Sequence, residues 1–261
     1  MKVFALIACG TLMFVGATPA HADEFDSDGV KIYYTVEGNG APVILIHGLY
    51  SSAKMNWAMP GITADLAEHY RVIALDCRGH GQSDKPVAEG AYGTNMVEDV
   101  VRLMDRLHIA KARVAGYSMG GMITMKLLAM HPERVSSAVL GGMGWHKADA
   151  PMNRFWELVN GQGRFNVPVA CLHGFPALSV TEQEIKAVNT PVTIIVGDRD
   201  PCRRMYVEPL QTIRPDWPVR LIADAGHLNC IIKPDFKVQL KAALDANGSA
   251  KLKPETVQPP R

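Results

Sequence analysis

The chain of 261 residues carries 27 lysines and arginines against 26 aspartates and glutamates, and 48% of it is hydrophobic. So even a balance argues against a nucleic-acid partner or an anionic membrane surface, both of which want a concentrated basic face. The length and apolar content suffice for one full core, and no repeat, low-complexity block, Cys-x-x-Cys pair or metal-ligand spacing is present, so neither a zinc site nor a thioredoxin-like site is expected.

Residues 1–22 read as a cleaved signal peptide. Lys2 precedes an apolar stretch from Val3 to Val15, and Ala20-His21-Ala22 offers a small-x-small cleavage site. The stretch is too short to anchor the chain in a membrane, so export to a periplasm or the medium is expected. Loss of Lys2 leaves 26 basic residues against 26 acidic ones, a formally neutral mature chain.

Phe25 to Glu37, interrupted by Asp28-Gly29, is expected to form an antiparallel hairpin. Pro42 to Ile46 is a buried strand that ends in the turn His47-Gly48-Leu49-Tyr50. Arg71 to Leu75 is the next strand, running into Asp76-Cys77-Arg78-Gly79-His80-Gly81-Gln82-Ser83. Val97, Val100, Val101, Met104 and Leu107 recur at helical spacing.

Ala112 to Ala115 is a short strand followed by Gly116-Tyr117-Ser118-Met119-Gly120-Gly121 and a helix from Met122 to Met130 that His131-Pro132 stops. A Gly-x-Ser-x-Gly sequence between strand and helix is the setting of a nucleophile elbow, so Ser118 is the candidate nucleophile. The backbone N–H groups of Leu49 and Met119 are candidates for a shared oxyanion hole. Val135 to Leu140 is a further strand. After it, from 144 to 190, the periodicity fails.

Pro191 to Gly197 and Val219 to Ile222 complete the strand set. Asp198 and Asp200 follow the first, and Gly226-His227 follows the second. A serine hydroxyl needs an imidazole to take its proton and a carboxylate to orient that imidazole. In a parallel sheet the loops after these strands meet at one edge.

The His-Gly turn, Asp-x-Arg-Gly-x-Gly-x-Ser, the elbow, Gly-x-x-Asp and Gly-His, in this order over about residues 25 to 245, resemble the α/β-hydrolase superfamily. The resemblance implies an α/β fold: a mostly parallel sheet flanked by helices, with an opening antiparallel hairpin and a short cap. It implies one such domain over 23–250 with a cap insertion over about 144–190; Lys251 to Arg261 read as a disordered tail. The family's Gly-x-x-Asp favours Asp200 over Asp198 as the acid beside His227, and assigns His47, His80 and Asp76 to loop architecture, Asp76 closing its loop with Arg78. Tyr50, Trp145 and Trp156 are expected to line the substrate pocket, with Met152, Phe155, Phe165 and Phe175 supplying further cap surface. Convergence of the acid and histidine loops would let a Cys202–Cys230 disulfide staple them, the alternative being buried free thiols that behave as small hydrophobes.

The activity implied is hydrolysis of small uncharged carboxylic esters or lactones by Ser118, His227 and Asp200 through an acyl-enzyme, without cofactor or metal. Carbon–carbon bond hydrolysis and peracid formation are alternatives on the same scaffold, and a non-catalytic binding module is a third. Haloalkane dehalogenases and epoxide hydrolases would require an aspartate at position 118.

Overall fold

A computed structural model describes residues 21–150, 158 and 166–248. The charged and apolar start of the expected signal peptide, cap residues Met152, Phe155, Trp156 and Phe165, and the 251–261 tail lie outside the described residues.

Strands β1 (His21–Asp26) and β2 (Lys31–Glu37) form the opening hairpin. Asp28 and Gly29 both have positive φ, 58° and 79°, and the Ser27 N–H donates to the Val30 carbonyl. That is the two-residue turn whose twist matches paired strands. The hairpin begins at His21, earlier than expected, so the expected cleavage after Ala22 falls within β1, where His21 and Ala22 pair with Val36 and Thr35.

Strands β3 (Ala41–Ile46), β4 (Tyr70–Leu75), β5 (Ala112–Tyr117), β6 (Val135–Gly141), β7 (Val192–Gly197) and β8 (Val219–Ile222) complete a sheet of eight in the order β1-β2-β4-β3-β5-β6-β7-β8. The hairpin, antiparallel within itself, joins the sheet antiparallel through β2 and β4; the five remaining pairs are parallel. The central strands are apolar runs because both faces are covered. On β3, Val43 and Leu45 enter one core while Ile44 and Ile46 enter the other.

The α-helices bounded within the described residues are α1 (Ile62–Ala67), α2 (Asn95–Arg106), α3 (Met119–Met130), α4 (Val169–His173), α5 (Glu182–Ala187), α6 (Glu208–Ile213) and α7 (Pro234–Gly248). Helices α2 and α3 cover one face of the sheet, and α1 and α7 cover the other. Helix α2 turns Met96, Val97, Val100, Leu103 and Met104 inward. Each such burial contributes about 1.5–3 kcal/mol. Helix α3 is apolar nearly all round and is buried for most of its length. Among the described residues no helix is long and apolar enough to cross a membrane.

One local expectation is corrected. Arg78 does not close the Asp76 loop: its Nε and Nη2 donate to the two carboxylate oxygens of Asp99 at 2.7 and 2.6 Å, and both side chains are buried. Asp76 accepts instead from the Ala53 and Gln82 N–H groups. Gly81 makes room for that carboxylate, since a Cβ there would lie 2.0 Å from Asp76 Oδ2. Helix α5, started by a capping box between Thr181 and Glu184, packs against α3 and buries Ile185 completely.

Candidate active site

The turn from β5 into α3 places Ser118 at φ 54°, ψ −114°. A non-glycine residue in such a conformation costs about 1–3 kcal/mol and needs surroundings that hold it. Here the Ser118 N–H donates to Gly141, and its carbonyl accepts from Gly121 and Met122. The flanking glycines are required by contact with backbone. A Cβ on Gly116 would lie 2.0 Å from the Gly120 carbonyl oxygen, and one on Gly120 would lie 2.1 Å from that of Ile46.

His227 lies beyond β8 and Asp200 beyond β7, and the parallel sheet brings both loops to Ser118. His227 Nε2 is 2.9 Å from Ser118 Oγ, and Nδ1 is 2.8 Å from Asp200 Oδ2. The Asp200 side chain is completely buried and that of His227 is 20% exposed. An ionised carboxylate can only accept, so Nδ1 carries the proton and Nε2 presents a lone pair to the serine hydroxyl. The second Asp200 oxygen accepts from the Cys202 N–H at 2.8 Å. Asp198, the other acid considered, accepts from the Ala225 N–H and braces the loop leading to the histidine.

The His47–Tyr50 turn sits against the serine: a Cβ on Gly48 would lie 3.3 Å from Ser118 Cβ. Asn56 Oδ1 accepts the Gly48 N–H at 2.7 Å, which leaves Leu49 as the next amide along the turn. Met119 is the first residue of α3, so its N–H has no acceptor within the helix, and the helix dipole adds partial positive charge there. The Leu49 amide therefore comes from the turn after β3 and the Met119 amide from the first residue of α3.

Several residues of this region carried no functional signal in the sequence. Tyr117, the residue before the serine, donates its hydroxyl to the His227 carbonyl at 2.5 Å and holds its ring 5.6 Å from the imidazole. It could have been noticed only as an aromatic inside the elbow. Asn56 and Asn229, which accept the amides of Gly48 and Gly226, had no recognisable pattern. Gly142, at φ 57° just beyond β6, sits tightly against Tyr117 and the histidine: a Cβ there would lie 3.1 Å from Tyr117 Cζ and 3.2 Å from His227 Cε1.

Of the expected pocket residues, Tyr50 and Trp145 line different cavities. Tyr50 belongs to one of about 400 Å³ shared with Met55, His80, Lys85 and Val167. Trp145 belongs to one of about 370 Å³ shared with Lys147, Met205 and Tyr206, and its indole N–H is tied to the Val180 carbonyl. Trp156 lies outside the described residues. Phe175 is buried in the core, anchoring rather than exposing its part of the cap.

The Cys202–Cys230 bridge is absent: both are free thiols, as are Cys77 and Cys171. The two sulfurs serve different neighbours, Cys202 facing Asp200 and Cys230 facing Tyr117. Burial pushes the Cys230 thiol up to about 12.

His47 and His80 are buried in loop architecture. His47 accepts the Cys77 N–H at Nε2 and bonds the Gly48 carbonyl through Nδ1, and His80 packs edge-on against it. Burial pulls their pKa values from 6.5 to about 4 and about 3. Depressed folded-state values mean that the unfolded chain takes up protons first. The stability these neutral rings contribute is therefore complete above pH 6.5 and is lost as the pH falls toward 4. Denaturant unfolding at pH 7 and pH 5 should differ by about 4 kcal/mol from these two groups, and the difference should shrink in His80→Gln. A stability unchanged over this interval would contradict the assignment.

Residues 41–169 match the family described as alpha/beta hydrolase fold. A protein of Mycobacterium phage D29, provisionally named a non-heme haloperoxidase, is 40% identical over 115 residues, 44% of this chain and 40% of that protein. The chain spans less than half the length of the curated relatives it matches first. Among solved structures, a carboxylesterase structure from the thaumarchaeon Nitrososphaera gargenis superposes with a TM-score of 0.71 at 20% identity, over 87% of this chain and 98% of that one. The 2-hydroxy-6-oxo-6-phenylhexa-2,4-dienoate hydrolase of Rhodococcus sp. strain RHA1 gives 0.68 at 21% identity, over 89% and 99%. At such identities the likeness concerns the fold.

Proposed function

Because the chain belongs to the α/β-hydrolase superfamily, we propose that it is a serine hydrolase that cleaves small uncharged carboxylic esters or lactones through an acyl-enzyme. The observation that carries this reading is the unbroken hydrogen-bond chain from buried Asp200 through His227 to Ser118 Oγ. His227 Nε2 takes the serine proton as Oγ attacks the carbonyl carbon, and Asp200 stabilises the imidazolium that forms. The amides of Leu49 and Met119 receive the negative charge that develops on the carbonyl oxygen. The imidazolium then protonates the leaving alkoxide, and the same nitrogen activates a water that releases the acid.

A second reading has support in the 40%-identical relative named for haloperoxidase activity. In it, hydrogen peroxide replaces water as the attacking group, and the acyl-enzyme is released as a peracid. The N-terminal pattern of Lys2, an apolar stretch and Ala20-His21-Ala22 supports a place of action outside the cytoplasm.

A panel of chromogenic esters of increasing acyl length and of lactones, offered without added metal or nucleotide, tests the reading. Release of acid and alcohol with a defined acyl-length optimum is expected. A flat response across the panel, combined with cleavage of a vinylogous diketone, would replace ester hydrolysis by carbon–carbon bond hydrolysis. Faster acyl transfer to peroxide than to water would favour the second reading.

A further inference from the structure

Cys202 takes no part in the chemistry above, yet its half-buried thiol stands beside two of the groups that do. One ligand atom from each of Asp200, Cys202 and His227 lies within 4.8 Å of the others, a combination of sulfur, imidazole nitrogen and carboxylate oxygen. Asp200 and Cys202 come from the loop after β7, which turns at once into the helical turn of residues 203–207, while His227 comes from the loop after β8. Both loops are rigidly placed. Asp200 is fixed by the Cys202 N–H, and the His227 backbone is fixed by the Tyr117 hydroxyl.

We propose that Asp200, Cys202 and His227 form a binding site for a soft or borderline divalent cation, Zn²⁺ or Cd²⁺, and that occupation of this site inhibits the enzyme. Zinc takes thiolate sulfur at about 2.3 Å and imidazole nitrogen or carboxylate oxygen at about 2.0–2.2 Å. Ligands around such a tetrahedral ion stand roughly 3.5 Å apart. The sulfur therefore has to draw in by about 1 Å at most, within the range of a rotation about the Cys202 Cα–Cβ bond, while His227 Nδ1 and Asp200 Oδ2, 2.8 Å apart, open around an ion that enters between them, and water completes the fourth position. The thiolate selects against Mg²⁺ and Ca²⁺, which prefer oxygen donors.

Binding displaces the thiol proton to solvent, and also the imidazole N–H proton if the ion takes Nδ1. In the metal-free protein, burial and the neighbouring Asp200 charge hold the Cys202 thiol protonated. A dication between the two reverses the sign of that interaction. Inhibition follows from the ligand set. At Nδ1 the ion replaces the bond to Asp200, and at Nε2 it replaces the bond to Ser118.

The consequence for turnover rests on the hydrolase reading, but the binding itself does not, and two separate measurements keep them apart. Cd²⁺ is titrated into the full chain while the ultraviolet thiolate-to-cadmium charge-transfer absorption is followed, with ester hydrolysis assayed in parallel. One Cd²⁺ per chain is expected to produce the band and to lower turnover at least tenfold, while Mg²⁺ does neither. Cys202→Ser and Cys202→Ala should each lose the band and weaken Cd²⁺ binding at least tenfold; Cys230→Ser should behave as the parent. A band that persists at full strength in both Cys202 variants, or no band at saturating Cd²⁺ in the parent, would overturn the proposal. A band that depends on Cys202 in a protein without esterase activity would uphold the metal site and count against the hydrolase reading alone.

Discussion

Ser118→Ala is expected to lower kcat for the best ester by about 10⁴- to 10⁶-fold while leaving the fold intact. The side-chain oxygen is the only atom removed, and the backbone bonds that hold position 118, to Gly141, Gly121 and Met122, do not involve it. Asp200→Asn should cost about 10⁴ in kcat by a different route. The amide can present its NH₂ to His227 Nδ1, which moves the ring proton to Nε2 and leaves no lone pair facing Ser118. Because the three groups act as one unit, the Ser118→Ala/Asp200→Asn double variant should be no slower than Ser118→Ala alone. Steady-state kinetics on the three proteins, with circular dichroism as a check on folding, decide the matter. Additive losses would mean that the groups act independently.

The second large effect concerns the elbow itself. Gly120→Ala places a methyl group 2.1 Å from the Ile46 carbonyl oxygen and 2.9 Å from that of His47, both backbone atoms of the central strand β3 and the turn that follows it. Neither can swing aside as a side-chain tip would. Overpacking a core commonly costs 1–3 kcal/mol, and a backbone obstacle belongs at or above the upper end, about 3 kcal/mol. For a domain of this size that corresponds to a fall in Tm of about 6–12 °C. A control lies close by: Gly29→Ala meets nothing within 4 Å, so it carries only the strain of its positive φ. A thermal melt of Gly120→Ala within about 2 °C of the parent would mean that the turn is looser than described.

The central strands were legible because parallel sheets bury both faces, which turns β3, β5, β6 and β7 into short apolar runs punctuated by glycine. The chain order of Ser118, Asp200 and His227 was legible for the same reason, since each follows the carboxyl end of such a run. Other features depended on contacts between segments that do not announce one another. The first half of β1 is polar because it is an edge strand with little to bury. Asp99 sits within an amphipathic helix, where nothing marks it as the partner of Arg78 some twenty residues earlier. Thr181 and Glu184 do spell a capping box, but the helix they start lies in a stretch whose apolar spacing is irregular, so its attachment to α3 became apparent only in three dimensions. Tyr117 and Asn56 hold the site through single hydrogen bonds to backbone, a role to which almost any polar residue type is suited.

The central claim is that Ser118 is the nucleophile and that His227 and Asp200 activate it. Labelling the purified protein with a fluorophosphonate, followed by digestion and peptide mass spectrometry, tests this most directly. The expected result is one adduct per chain on Ser118, absent in Ser118→Ala and formed far more slowly in Asp200→Asn. Undiminished labelling of Ser118→Ala, or an adduct on any other residue, would contradict it.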